Sequence, residues 1–80
     1  MNVYVVQYGC VDMTDEVLSN IYATADAARA AAIKDAEDAR DGMGDEDYYV
    51  TKTDELISVF DESDEVTDWW RITEMEVRGE

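Results

Sequence analysis

Histidine and proline are missing from this chain, there is one cysteine, and only six of its 80 residues are Lys or Arg. Each shortage removes a class of chemistry. Without histidine there is no imidazole general base and no Ser–His or Cys–His pair. A lone Cys10 forms no internal disulfide, and zinc finds neither a thiolate cluster nor an imidazole. Cys10 stands beside Asp12, Asp15 and Glu16, the wrong sign for activating a thiolate, so it reads as a small, partly buried apolar residue. GxGxxG, P-loop and GxSxG patterns are absent. The longest apolar runs, such as Ala30 to Ile33, are four residues, too short to span a membrane. Met1 to Tyr8 lacks the basic stretch and apolar segment of a secretory leader, and an anionic surface does not dock on acidic lipid. The expectation is a cytoplasmic protein with no enzymatic activity, no cofactor and no metal.

What is abundant is carboxylate. Asp and Glu number 21, giving a formal charge of −15. A compact domain carrying that field repels itself unless a partner or counterions offset it. A hydrophobic fraction of 46% with 10% aromatics is too high for a disordered acidic tail, so the chain should fold as one domain, residues 1–80, with a small core. Counting carboxylates does not by itself remove a glycosidase-like pair, but a chain this short rarely builds the cleft such a pair needs. Nor does the spacing suit calcium. Asp38 to Asp47 (DARDGMGDED) departs from the EF-hand register, and Asp61 to Asp68 lacks its central glycine.

The elements follow from pattern. Val3 to Tyr8 (VYVVQY) and Val17 to Tyr22 (VLSNIY) read as strands forming an antiparallel hairpin with a long loop. Thr24 is a candidate N-cap, and Asp26 suits the positive helix end. Ala25 to Arg40 is the helix, with Ala25, Ala28, Ala32, Ala36 and Ala39 on one stripe that lets it lie close on a sheet, and Gly42 and Gly44 beyond it. Tyr48 to Thr53 reads as a third strand, Leu56 to Phe60 as a strand or one helical turn, Asp61 to Asp68 as an acidic loop, and Trp69 to Arg78 as the last strand. The expected fold is α+β, a small antiparallel sheet in the order β-β-α-β-(β)-β with the Ala-rich helix across one face. Val5, Ile21, Val50 and Ile72 are the expected core under the alanine stripe.

The acids come in clusters, and Asp41 to Asp47 and Asp61 to Asp68 contain no Lys or Arg. Such a field calls for a positive partner, and grooves that hold nucleic acid are large positive surfaces. Same-face side chains on a strand stand about 6.6 Å apart, and i,i+3 or i,i+4 groups on a helix about 5–6 Å, so rows of carboxylates can approximate a phosphate backbone. Glu74 with Glu76, and Asp35 with Asp38, have these spacings. The candidate partner-binding residues are Asp35, Glu37, Asp38, Asp41, Asp45, Glu46, Asp47, Asp61, Glu62, Asp64, Glu65 and Asp68, with Trp69 or Trp70 as apolar anchors beside them. Tyr48 and Tyr49 are further aromatic candidates. Neighbours on a strand point to opposite faces, so one of each aromatic pair should be buried.

Val3-Tyr4-Val5-Val6-Gln7-Tyr8, then Ile21-Tyr22-Ala23-Thr24 leading into Asp26-Ala27-Ala28-Arg29-Ala30-Ala31, resembles small phage and bacterial proteins with a strand–strand–Ala-rich-helix start. That group has no catalytic motif to carry over. In size and acidity the whole chain is similar to phage-encoded anti-defence proteins, the DNA-mimicking anti-CRISPR and anti-restriction inhibitors. The likeness is one of character, without a shared motif. It implies a viral inhibitor occupying the nucleic-acid site of a host defence complex, with a CRISPR–Cas effector favoured. Two other readings stay open: a module for another basic protein, such as a nuclease toxin or a nucleoid protein, and a domain adapted to high salt, whose charge names no partner.

Overall fold

Strand β1 (Asn2–Cys10) turns back through a loop into β2 (Val17–Tyr22), and helix α1 (Ala25–Gly42) follows. The chain then returns as β3 (Tyr49–Lys52), β4 (Leu56–Phe60) and β5 (Val66–Glu76). A computed structural model describes residues 1–42 and 47–77. The five strands form one antiparallel sheet with α1 packed across one face, as the pattern of the sequence implied, and their order in it is β2-β1-β5-β4-β3. The first and last strands are therefore neighbours inside the sheet, β1 paired along its whole length from Asn2 opposite Glu76 to Cys10 opposite Asp68.

Thr24 caps the helix as expected: its Oγ1 accepts from the Ala27 amide at 3.1 Å, and its carbonyl accepts from the Ala28 amide. Ala28, Ala32 and Ala36 have no exposed surface, and Ala39 is partly buried. Ala25, expected on the same stripe, is exposed in the helix's first turn, at the mouth of a groove it lines with Tyr4 and Ile72. Methyl groups at this contact bring the helix axis close, and Val6, Ile57, Val59, Trp70 and Ile72 fill the space beneath. Tyr8 meets Trp70 with ring centroids 5.0 Å apart.

Two expectations change. Val5 and Ile21 are expected under the helix; Val5 is buried as expected, at 8% exposure, but register places it with Ile21 and Thr73 on the sheet face away from α1. Ile21 is 51% exposed there. The helix-side face of β1 is instead Tyr4, Val6 and Tyr8, the other half of the same alternation. Val50 and Ile72 are under the helix as expected. The last strand also starts earlier than Trp69. Val66 pairs with Phe60 and Asp68 with both Val59 and Cys10, which shortens the acidic loop to residues 61–65 and ends the strand at Glu76.

Candidate functional site

Antiparallel register decides where the carboxylates go. Cys10 lies opposite Asp68, Phe60 opposite Val66, and Tyr49 opposite Phe60. The β1–β2 loop, the β4–β5 loop and the entry to β3 therefore emerge at one end of the sheet. The Val11 amide bonds to the Thr67 carbonyl at 3.1 Å, and the Tyr49 hydroxyl donates to Asp64 Oδ1 at 2.8 Å, tying the three segments together. Asp12, Asp15, Asp47, Glu62, Asp64 and Glu65 are exposed at this end. Asp41 joins them from the end of α1, which starts near the opposite end and runs toward β3. The helix acids are partly offset by cations: Glu37 pairs with Lys52 at 3.5 Å, Asp38 with Lys34 at 3.5 Å and Asp41 with Arg40 at 3.3 Å. Asp35 is exposed on the same half of the helix. Asp45 and Glu46 fall outside the described residues.

Not every acid at that end is free to meet a partner. Asp61 Oδ1 accepts from the amides of Ser63 at 2.8 Å and Glu65 at 3.0 Å, while the Asp61 amide donates to the Glu65 carbonyl. It holds the turn, and Asp64 takes the positive φ of 63° that closes it. Asp68, expected as an interface acid, is buried on the helix side and accepts from the Tyr8 hydroxyl and from Thr67 Oγ1. Burial, and then the Asp68 carboxylate beside it, push the Tyr8 hydroxyl well above the ordinary tyrosine range. The bond to Asp64 raises Tyr49 likewise.

Of the two tryptophans, Trp70 lies in the core and Trp69 reaches the surface on the helix-free face. Trp69 lies flat over Gly9. A Cβ at Gly9 would stand 2.6 Å from Trp69 Cε2, so only glycine accommodates the ring. Trp69 Nε1 donates to Glu16 Oε2 at 2.9 Å, and Arg71 Nε donates to the same carboxylate at 3.1 Å. Glu16 thus folds from the first hairpin loop onto the sheet and fixes the indole. Of the tyrosines, Tyr48 packs against the core, and Tyr49 stacks on Phe60 at 5.3 Å and stays partly exposed.

Sequence reasoning had placed no site residue in the first hairpin loop. Asp12 and Asp15 join the acidic end only because β1 pairs with β5, a contact between segments nearly the whole chain apart. No local signal announces that pairing. Two grooves flank the lower edge of β5, one of about 270 Å³ lined by Glu55, Arg71, Ile72, Thr73 and Glu74, the other of about 180 Å³ lined by Tyr4, Ala25, Asp54, Glu55, Ile72 and Glu74. Both fall below the roughly 300–1,000 Å³ of ligand pockets. Among the described residues no cluster of three or more Asp, Glu or Cys side chains is placed to hold a metal ion. No helix among them is long and apolar enough to cross a membrane. No family model, curated protein or solved structure matches the chain.

Proposed function

We propose that the chain is an acidic protein inhibitor that occupies the nucleic-acid-binding groove of a basic protein in the cytoplasm. The observation that carries this reading is the gathering of exposed carboxylates from the β1–β2 loop, the β4–β5 loop and the entry to β3 at one end of the sheet. Residues 61–68 contain no cation to offset them. A groove lined by Lys and Arg already attracts polyanions, so association is fast and salt-sensitive. The chain itself binds no nucleic acid, because its field repels phosphate. The likeness in size and acidity to anti-defence proteins favours a CRISPR–Cas effector or another defence protein as the target.

Glu62 and Glu65 are the acids to test, since both are exposed and neither side chain holds the turn that Asp61 makes. In a gel shift, the chain should release DNA or RNA from its target at low salt and lose potency as salt rises. The variant Glu62→Lys/Glu65→Lys should weaken that release severalfold. If nucleic-acid binding by every candidate effector is untouched at low salt, the proposal fails. A pull-down that returns a toxin or a nucleoid protein would move the reading to the other basic partners.

A further inference from the structure

Among the described residues, the strand acids avoid one face of the sheet. Asp68, Glu74 and Glu76 are the strand carboxylates, and register sets all of them on the helix side, opposite Cys10, Tyr4 and Asn2. On the other face the rows read Met75–Val3, Thr73–Val5–Ile21, Leu56–Arg71–Gln7–Leu18 and Thr51–Ser58–Trp69–Gly9. The carboxylates seen on this face are Glu16, bound by Arg71 and Trp69, and, at its acidic end beside the Tyr49–Phe60 pair, Asp64, which accepts from the Tyr49 hydroxyl. Large apolar side chains stand uncovered there: Leu18 is 58% exposed, Met75 52% and Ile21 51%. Strand β2 adds a free edge of six residues, Val17–Tyr22, with no charge and no proline to guard it.

We propose that a second copy of this chain packs on the helix-free face of the sheet. The charge distribution selects the occupant. A cationic partner has nothing to pair with on this face, whereas two copies carrying −15 each can approach only where their acids are absent. Packing sheet on sheet turns both helices and both acidic faces outward, and a two-fold axis makes the apolar rows self-complementary. Central strands of nine and eleven residues give a face of roughly 600 Å² at about 3.3 Å per residue and about 4.8 Å between strands. A standard interface buries about 800 Å² per partner, so the dimer is modest in strength. Remaining repulsion between the copies is screened by salt, so the dimer tightens as salt rises, opposite to the sign expected for a cationic partner.

Sedimentation equilibrium of the purified chain tests this at about 0.15 M and about 1 M NaCl, where the screening length falls from about 8 to about 3 Å. The expected result is a reversible dimer whose dissociation constant falls at least tenfold at the higher salt. Leu18→Glu/Ile21→Glu on β2 and Met75→Glu on β5 should each abolish it, while Glu62→Lys/Glu65→Lys should keep it. A monomer at both salts up to submillimolar concentration overturns the proposal. So does a dimer that survives in both apolar variants, or one that weakens with salt. Unfolding of both apolar variants would also overturn it, because these side chains would then be holding the monomer together. A chain that stays monomeric but loses capture of a basic protein in the apolar variants assigns the face to that protein instead. The measurement uses no partner, so a failed gel shift leaves it standing.

Discussion

Replacing Gly9 with alanine tests the account of Trp69 directly. The new methyl would stand 2.6 Å from Cε2 and 2.7 Å from both Cζ2 and Nε1 of the indole, well inside ordinary van der Waals contact. To restore contact the ring must lift by about 1 Å, and overpacking of this kind costs about 1–3 kcal/mol. Lifting Nε1 also stretches its 2.9 Å bond to Glu16. That loss is partial, because Glu16 keeps Arg71 and its side chain is 22% exposed. A total of about 2–3 kcal/mol is expected for these two losses. Since 1 kcal/mol moves the midpoint of a small domain by about 4–8 °C, the melting temperature should drop by about 10 °C or more. Urea unfolding followed by tryptophan emission gives the free energy and, in the native baseline, a shift as the indole meets water. The decisive control is a cycle with Trp69→Leu, which removes the ring. Gly9→Ala should cost much less in that background, leaving a coupling of at least about 1 kcal/mol between the positions. A Gly9→Ala chain as stable as the parent, or costs that simply add, would refute the stacking and with it the reason Trp69 is held on this face.

Tyr8 and Tyr49 both have hydroxyls raised above the ordinary range, so the folded state prefers them protonated. Their contribution to stability should therefore be constant below about pH 10 and fall as pH rises above it, where unfolded tyrosine gives up its proton first. Tyr8→Phe should flatten that fall in melts taken across the alkaline range, at a cost of about 1–2 kcal/mol at neutral pH because Asp68 keeps only its Thr67 donor. Ala32→Leu puts a larger side chain where the helix has no exposed surface and should cost about 1–3 kcal/mol or more by urea titration. Raising KCl should stabilise the fold by screening the acidic end, yet the chain should already be folded at about 0.15 M, where screening reaches about 8 Å. A domain that folds only near molar salt would favour salt adaptation over a partner.

The alternation of VYVVQY and VLSNIY, the alanine stripe and the Thr24 cap were enough to place β1, β2 and α1, because each signal is local and periodic. The face that VYVVQY turns to the helix was not legible. Both halves of that stretch are apolar, Val3 and Val5 against Tyr4, Val6 and Tyr8, so periodicity alone leaves two choices. Residues 66–68 looked like loop because Asp68 follows a run of acids. Their strand character comes from partners in β1 and β4, and Asp68 tolerates burial because Tyr8 and Thr67 donate to it. The 61–65 loop stood out as acidic, but its division of labour did not. Asp61 serves the turn and Asp64 the Tyr49 hydroxyl, which leaves Glu62 and Glu65 as the cleaner probes of a partner.

Segregation of charge links the fold to both proposals. On β5 the acids fall at even positions, 68, 74 and 76, and the odd positions carry Trp69, Arg71, Thr73 and Met75. A two-residue period turns that spelling into two different surfaces. Had the acids served only solubility, both sides of the central strand would have been equally good places for them, and an apolar face open to water would gain most from their presence. Keeping that face free of unpaired carboxylate leaves Leu18, Ile21 and Met75 exposed, which makes sense for a surface that is covered. Charge-bearing ends that face outward and a neutral face that is covered are the two halves of one arrangement. Moving a carboxylate onto the neutral face, as in Thr73→Glu, should therefore leave the monomer folded and the acidic end active while preventing self-association.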